Sequence, residues 1–184
     1  MKSSKNSVLS RARLFAYSAH NGQFRKDGRT PYINHPKAVV GILRRAGVVD
    51  ENILSAGWLH DVVEDCGITR SAIRKNFGET IASYIDGVTE KKSLETRKDF
   101  MKRISLSSYP VKIIKMADVL HNMRTVMEVP LEKRVGLYKS MGNYWNVYKT
   151  FAFNVCRSIA LLLEKEYKKL GKQMEKSRRL DTHS

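Results

Sequence analysis

The chain is poor in cysteine: only Cys66 and Cys156 occur in 184 residues. They are far apart and form no CxxC pair. That excludes a disulfide framework and a thiolate zinc site, and it argues for free thiols in a reducing, cytoplasmic setting. No run of 18 apolar residues exists, so no transmembrane helix is expected. The start, MKSSKNSVLSRAR, is basic but has no apolar core, so no signal peptide is expected. No stretch alternates apolar and polar residues for long, and β-branched residues do not cluster between turn signals, which argues against a sheet. Acid is scarce as well, with 18 Asp+Glu against 34 Lys+Arg and a net charge of +16. A balance of this sign points to an anionic partner or substrate, such as a nucleotide, RNA, an acidic protein or a membrane surface. The alternative is a solvated basic face that aids solubility.

What is present is helical periodicity. An apolar content of 42 % is enough for a folded domain. Residues 7–19 repeat apolar positions at helical spacing, and a polar loop follows from His20 to Asn34. His35-Pro36 opens a helix that stops at Gly47, with Pro36 in the first turn where its missing N–H is not needed. Asp50 is the expected N-cap of a central helix through residue 66, and Thr69 caps the next. A short helix over 79–88, a polar connection over 89–93 and a basic helix over 94–105 follow. Pro110 opens a long helix and Pro130 another. The helical pattern then runs to about Leu170, interrupted near Gly136 and Gly142. From Gly171 the apolar residues thin out. The reading is an all-α bundle of about eight to ten helices. Residues 1–170 form a single domain, and 171–184 form a basic, flexible tail in which His183 faces solvent.

The stretch 53–66, ILSAGWLHDVVEDC, carries His60, Asp61, Glu64 and Asp65 on or beside an apolar stripe. Desolvating carboxylates is costly unless a metal or a partner charge compensates. With His35 at a helix start and Asp118 in the helix from Pro110, two imidazoles and two carboxylates make a mixed N/O set. Such a set suits Mn²⁺, Fe²⁺ or Zn²⁺ better than Ca²⁺. A His-Asp dipeptide alone is a weak signal, since most such pairs sit at helix ends or surfaces.

Four motifs read together are more specific: RKDGRTPYINHP (25–36), LHDVVED (59–65), FGETIASYIDGVTE (77–90) and KIIKMADVLHNMRT (112–125). In this order and spacing, over about residues 8–155, the chain resembles the hydrolase domain of the RelA/SpoT homologues. That domain is an HD-superfamily module that removes the 3′-pyrophosphate of guanosine tetra- and pentaphosphate. The length resembles that of the stand-alone small alarmone hydrolases. The resemblance implies an HD-type helical bundle with one Mn²⁺ held by His35, His60, Asp61 and Asp118. It implies Glu64 and Asp65 as the acidic pair acting on the attacking water. It further implies Arg25 and Lys26 meeting phosphate and nucleobase, and Asn122 lining the nucleoside pocket. Arg97 and Lys98, with Lys102 and Arg103, fall near the expected pocket mouth, either touching phosphates or forming a solvated face. Tyr144 and Trp145 offer planes for base stacking or for the core. His20 and His121 are expected to support the site rather than ligate.

The chain departs from the family pattern at several places. An extra residue lies in the DGRT stretch, Trp58 stands where a small or aliphatic residue is usual, and Val119 replaces a basic residue. Cys66 replaces Thr and is expected to be a small packing residue. Beside (p)ppGpp hydrolysis, the resemblance leaves open NADPH 2′-phosphatase activity or removal of pyrophosphate from an RNA 3′ end. It also leaves open a role as antitoxin to a toxic alarmone synthetase. The oligomeric state is open.

Overall fold

The computed structural model describes residues 7–181, with side chains through residue 176; His183 lies outside the described residues. Among them are eleven α-helices, two of which, α4 (Val62–Asp65) and α10 (Ala152–Val155), are single four-residue turns. The other nine fall within the number expected from the sequence. The extended structure among the described residues is an isolated bridge between Phe24 and Pro31.

The helix starts are set by local chemistry. Ser7 accepts from the Ser10 N–H at the head of α1 (Val8–Ala19), and Asp50 accepts from Asn52 and Ile53 at the head of α3 (Glu51–Leu59). Thr69 caps α5 (Arg70–Phe77), and Thr96 and Asp99 close a reciprocal capping box on α7 (Arg97–Leu106). Each cap satisfies N–H groups that have no partner within the helix. The remaining long helices are α2 (Asn34–Arg45), α6 (Glu79–Val88), α8 (Tyr109–Thr125), α9 (Leu131–Tyr148) and α11 (Arg157–Asp181), with a 3₁₀ turn at Val126–Glu128.

Helix α8 is the axis of the bundle. Val111, Ile113, Ile114, Met116, Ala117, Val119, Leu120 and Met123 are all buried, so it is apolar on nearly every side. It packs against α2, α3, α6, α7, α9, α10 and α11. A polar residue on such a helix is therefore delivered to the centre of the molecule, which is how Asp118 reaches the site. The close packing of α6 on α8 needs Gly87, where a Cβ would stand 2.6 Å from Val111 Cγ2. Gly87→Ala is expected to destabilise by up to about 2 kcal/mol net. Overpacking costs roughly 1–3 kcal/mol and outweighs a helix-propensity gain of about 1 kcal/mol. A urea midpoint equal to or above that of the parent would refute this.

Four sequence expectations shift. The central helix is not continuous to residue 66: α3 ends at Leu59, Asp61 takes φ −103°, and a separate turn α4 (Val62–Asp65) follows. The break turns the Asp61 side chain inward, and His60 and Glu64 no longer share one regular helix face. Helix α7 begins at Arg97, leaving Leu94 exposed in the preceding turn. Helix α9 passes through Gly136 and Gly142 unbroken. The interruptions come at residues 149–151 and at Cys156, flanking α10 (Ala152–Val155). Gly142 serves close approach instead, since a Cβ there would lie 2.9 Å from Tyr167 Oη of α11. Finally, α11 continues past Leu170 to Asp181 because Met174 carries its buried stripe onward. Trp58 fits the packing, 7 % exposed with its ring 6.0 Å from that of Tyr17 on α1.

Candidate active site

Four side chains from separate parts of the chain converge beside α8. His35 sits in the first turn of α2, His60 just past the end of α3, Asp61 in the break before α4, and Asp118 in the middle of α8. His35 Nε2 lies 3.1 Å from His60 Nε2, 3.4 Å from Asp61 Oδ2 and 3.1 Å from Asp118 Oδ1. His60 Nε2 lies 3.1 Å from Asp61 Oδ2 and 3.9 Å from Asp118 Oδ1. Ligand bonds of about 2.0–2.2 Å span edges of about 3.0–3.5 Å. The edges among His35, His60 and Asp61 and the His35–Asp118 edge lie in that range and suit one small divalent cation, while the His60–Asp118 edge is longer.

The donor chemistry makes the same point. His60 Nδ1 donates to the Gly57 carbonyl at 2.9 Å. A carbonyl only accepts, so that nitrogen carries the hydrogen, and a neutral ring then aims the Nε2 lone pair at the cluster. His35 Nδ1 is paired with His121 Nδ1 at 2.8 Å, and burial, then the neighbouring His35 and Arg25, push the His121 imidazole down to about 3. His121 is therefore a neutral partner that orients His35. Two imidazole lone pairs and two carboxylate oxygens left facing one another repel unless positive charge sits among them. The His60 imidazole is pushed up to about 9, because Asp61 outweighs the opposing effect of burial. Burial would raise the Asp61 and Asp118 carboxyls, yet His60 and His35 hold Asp61, and Lys115 and His35 hold Asp118, far below the ordinary carboxylate value. The cluster attracts positive charge, and a divalent metal displaces the proton it would otherwise take.

Supporting groups hold these side chains. Lys115 Nζ donates to Asp118 Oδ2 at 2.6 Å and Asn122 Nδ2 to Asp118 Oδ1 at 2.6 Å, while Arg25 Nη2 donates to Asn122 Oδ1 at 2.7 Å. Arg25 lines the cavity ahead of the DGRT stretch. The loop closes on itself through Asp27, which accepts from the Arg29 and Thr30 N–H groups at 2.9 Å each. Tyr32 Oη lies 2.8 Å from Asp61 Oδ2 and 2.6 Å from Asp65 Oδ2. Glu64 meets Lys92 Nζ at 2.8 Å. Burial, then Asp61 and Glu64, push the Asp65 carboxyl up against the opposing Tyr32 hydrogen bond.

Tyr32, His35, Asp61, Glu64, Asp65 and Asp118 line a cavity of about 700 Å³ that also takes in Arg25, Lys26, Arg97, Asn122 and Tyr144, with His60 buried behind it. Lys98 is not among the lining residues and is exposed, and Lys102 lies on a separate shallow pocket. Arg103 is engaged in structure, holding the Gly87 and Thr89 carbonyls and Glu95. Of the four expected mouth residues, only Arg97 lines the cavity. Tyr144 lines the wall, but it is 4 % exposed and packed by Tyr148, Arg97 and Lys115. Trp145 does not line the cavity and packs toward Tyr167. The open aromatic plane is Phe24, 57 % exposed. Cys66 is a partly buried contact of His20, with Sγ 3.3 Å from Nδ1.

Sequence reasoning missed Phe24, Tyr32, Lys92 and Lys115. Lys115 stands three residues before Asp118 on α8, which puts it on the same helix face, and Tyr32 lies in the turn just ahead of α2. Lys92 in a polar connection gives no such signal. The charge count is also informative: five basic residues line the cavity (Arg25, Lys26, Lys92, Arg97, Lys115) against seven acidic ones. The surplus of positive charge lies outside the cavity, so a bound cation is needed before the pocket favours a polyanion.

An HD-domain family model matches residues 12–152. The chain belongs to the HD-domain family. Its relatives narrow the placement. It is 38 % identical over 129 residues to the zebrafish (Danio rerio) guanosine-3′,5′-bis(diphosphate) 3′-pyrophosphohydrolase MESH1, covering 67 % of this chain and 72 % of that one. It is 42 % identical over 136 residues to a probable 3′-pyrophosphohydrolase of Synechocystis sp., covering 69 % of this chain but 18 % of the longer relative. The solved structure of a metazoan ortholog of SpoT that hydrolyses ppGpp superposes with a TM-score of 0.81 at 28 % identity, covering 92 % of this chain and 98 % of that one. Within the HD-domain proteins, the chain therefore groups with the MESH1 hydrolases.

Proposed function

We propose that the chain is a metal-dependent 3′-pyrophosphohydrolase of guanosine tetra- and pentaphosphate, yielding GDP or GTP and pyrophosphate. It thereby lowers the alarmone of the stringent response. Mn²⁺ is the assigned ion, one per site, and the cytoplasm the assigned compartment; among the described residues no helix is long and apolar enough to cross a membrane. The observation that carries the reading is the convergence of His35, Asp61 and Asp118, backed by the buried His60, on a cavity that also holds Arg25, Lys26, Lys92 and Arg97. The cavity's size suits a nucleotide.

A divalent cation bound there supplies Lewis acidity at the 3′-phosphate and acidifies water toward neutral pKa. The chain's residues do the rest. Glu64 and Asp65 stand beside Asp61 as the acceptors for the proton of the attacking water and hold that water in line. Arg25 and Arg97 offer planar forks, and Lys26 and Lys92 point charges, to the pyrophosphate as negative charge builds on it. Burial, then the nearby Arg25 and Arg97, lower the Lys26 ammonium, and a bound phosphate would oppose both effects. Phe24, with the Arg25–Asn122 pair, bounds the nucleoside side.

Chromatographic assay of guanosine tetraphosphate with Mn²⁺ tests this directly, and absence of chelator-sensitive pyrophosphate release sinks it. The same panel should carry NADPH and an RNA with a 3′-terminal pyrophosphate, because faster turnover of either would replace the guanosine assignment. Glu64→Gln is expected to lower kcat by about 10²–10³-fold, within the usual range for losing a general base. It should keep one Mn²⁺ per chain by elemental analysis, and loss of the metal would move Glu64 into the ligand set.

A further inference from the structure

Tyr32 Oη stands 2.8 Å from Asp61 Oδ2 and 2.6 Å from Asp65 Oδ2. Both are hydrogen-bond distances, but a phenol has one hydrogen to give. The Asp61 oxygen it approaches is also the one that faces His35 Nε2 at 3.4 Å and His60 Nε2 at 3.1 Å. It is the oxygen a cation would use. A phenolic hydrogen pointed at Asp61 therefore competes for the same lone pairs. Pointed at Asp65, it leaves the phenol oxygen's lone pairs against an anionic oxygen, which is tolerable only when positive charge sits on Asp61. The two orientations belong to two states of the cation site.

The ring is fixed independently of its hydroxyl. It stacks on the His20 ring at 4.7 Å and meets the His35 ring edge-on at 5.9 Å, and the Arg25 guanidinium lies 5.4 Å from its centroid. The backbone holds it as well, with the Tyr32 N–H donating to the Gln23 carbonyl at 2.9 Å. Only the O–H is free to turn. On the Asp65 side, the turn α4 is tethered by Gln23 Nε2, which donates to the Asp65 carbonyl at 3.1 Å. The carboxylate then has Oδ2 against Tyr32 and its other oxygen available to the cavity.

We propose that Tyr32 is a positioning residue whose single hydroxyl hydrogen couples occupancy of the cation site to the orientation of Asp65. With the cation on Asp61, the hydrogen is given to Asp65 Oδ2 and fixes that carboxylate with one oxygen toward the attacking water. Without it, the hydrogen turns to Asp61 and Asp65 is released. The proposal rests on the metal-dependent reading above, so its test includes a measurement that needs no substrate.

The test is a double-mutant cycle of the parent, Tyr32→Phe, Asp65→Asn and the double variant. Phenylalanine keeps the ring contacts and removes only the hydroxyl. Calorimetric titration with Mn²⁺ reads the coupling alone. Asp65→Asn is expected to change cation affinity at least about threefold in the parent and less than about twofold once Tyr32 is Phe, since contacting residues are non-additive when one acts through the other. Turnover read in parallel is expected to fall about 10–100-fold in Tyr32→Phe, the range for groups behind metal ligands, with KM within about threefold. The double variant should be no slower than Asp65→Asn. Equal effects of Asp65→Asn in both backgrounds, or none in either, overturn the coupling. An unchanged kcat in Tyr32→Phe overturns the positioning role. A parent that binds Mn²⁺ yet leaves guanosine tetraphosphate intact defeats the proposed function, while the calorimetric cycle still decides for or against Tyr32.

Discussion

Asparagine in place of Asp61 is expected to leave a folded protein that no longer retains a divalent cation and turns over guanosine tetraphosphate at least about 10³-fold more slowly. A metal ion contributes several kcal/mol of charge stabilisation in such reactions, and each 1.36 kcal/mol is tenfold in rate. The amide keeps the volume of the carboxyl in a tightly packed break between α3 and α4. It removes the anionic oxygen that stands 3.1 Å from His60 Nε2 and 3.4 Å from His35 Nε2. The readout independent of activity is thermal. At 100 times its Kd, a ligand adds about 2.7 kcal/mol to the parent's stability, or roughly 5–10 °C in Tm for a chain of this size. The variant should gain under about 2 °C from the same Mn²⁺ concentration. A full Mn²⁺-induced shift in Asp61→Asn would remove Asp61 from the ligand set.

Much of this molecule is legible in its residues because its helices begin where short polar side chains can cap them and its core repeats at 3.6. Asp50 and Thr69 stand at the helix heads where the sequence places them, while Thr96 caps α7 two residues inside the helix expected from Leu94. The candidate ligand set was read from three of the four motifs, which place His35 at a helix start, His60 and Asp61 just past a helix end and Asp118 on a buried helix. What periodicity does not show is where a helix breaks for the sake of a side chain. The apolar pattern Leu59, Val62, Val63 is continuous, yet the chain turns at Asp61 because its carboxylate is held inward by His60, His35 and Tyr32, all distant in sequence or on the other side of the break. Gly136 and Gly142 mislead for the complementary reason. Glycine lowers helix propensity, but at 142 the absence of a Cβ admits Tyr167, and packing outweighs a cost of about 1 kcal/mol. Lys92 and Phe24 lie in loops, where position depends on tertiary closure and no periodic signal exists.

The second large effect concerns Lys115, which no motif singled out. Its ammonium is buried, with the side chain 11 % exposed, and donates to Asp118 Oδ2 at 2.6 Å. Burial alone would strip the charge from this lysine, but Asp118 overrides it and keeps the ammonium protonated. Phe100 and Tyr144 lie 5.4 and 5.8 Å from Nζ and add their ring faces. Lys115→Met preserves the length of the stem among those rings and leaves the Asp118 carboxylate buried without its main counter-charge. Breaking a buried pair from one side costs about 3–5 kcal/mol, a large fraction of the total stability of a domain. In chelator the urea midpoint should therefore fall steeply with an unchanged slope. In saturating Mn²⁺ the loss should be smaller, because a cation on Asp118 Oδ1 supplies part of the missing charge. Removing both charges separates this account from simple loss of packing. Lys115→Met combined with Asp118→Asn should recover part of the chelator-state stability lost in Lys115→Met alone, since no unpaired ion is then buried. A double variant less stable than Lys115→Met, or a single variant as stable as the parent in chelator, would show that the pair is not what holds Asp118 ready at the centre of the bundle.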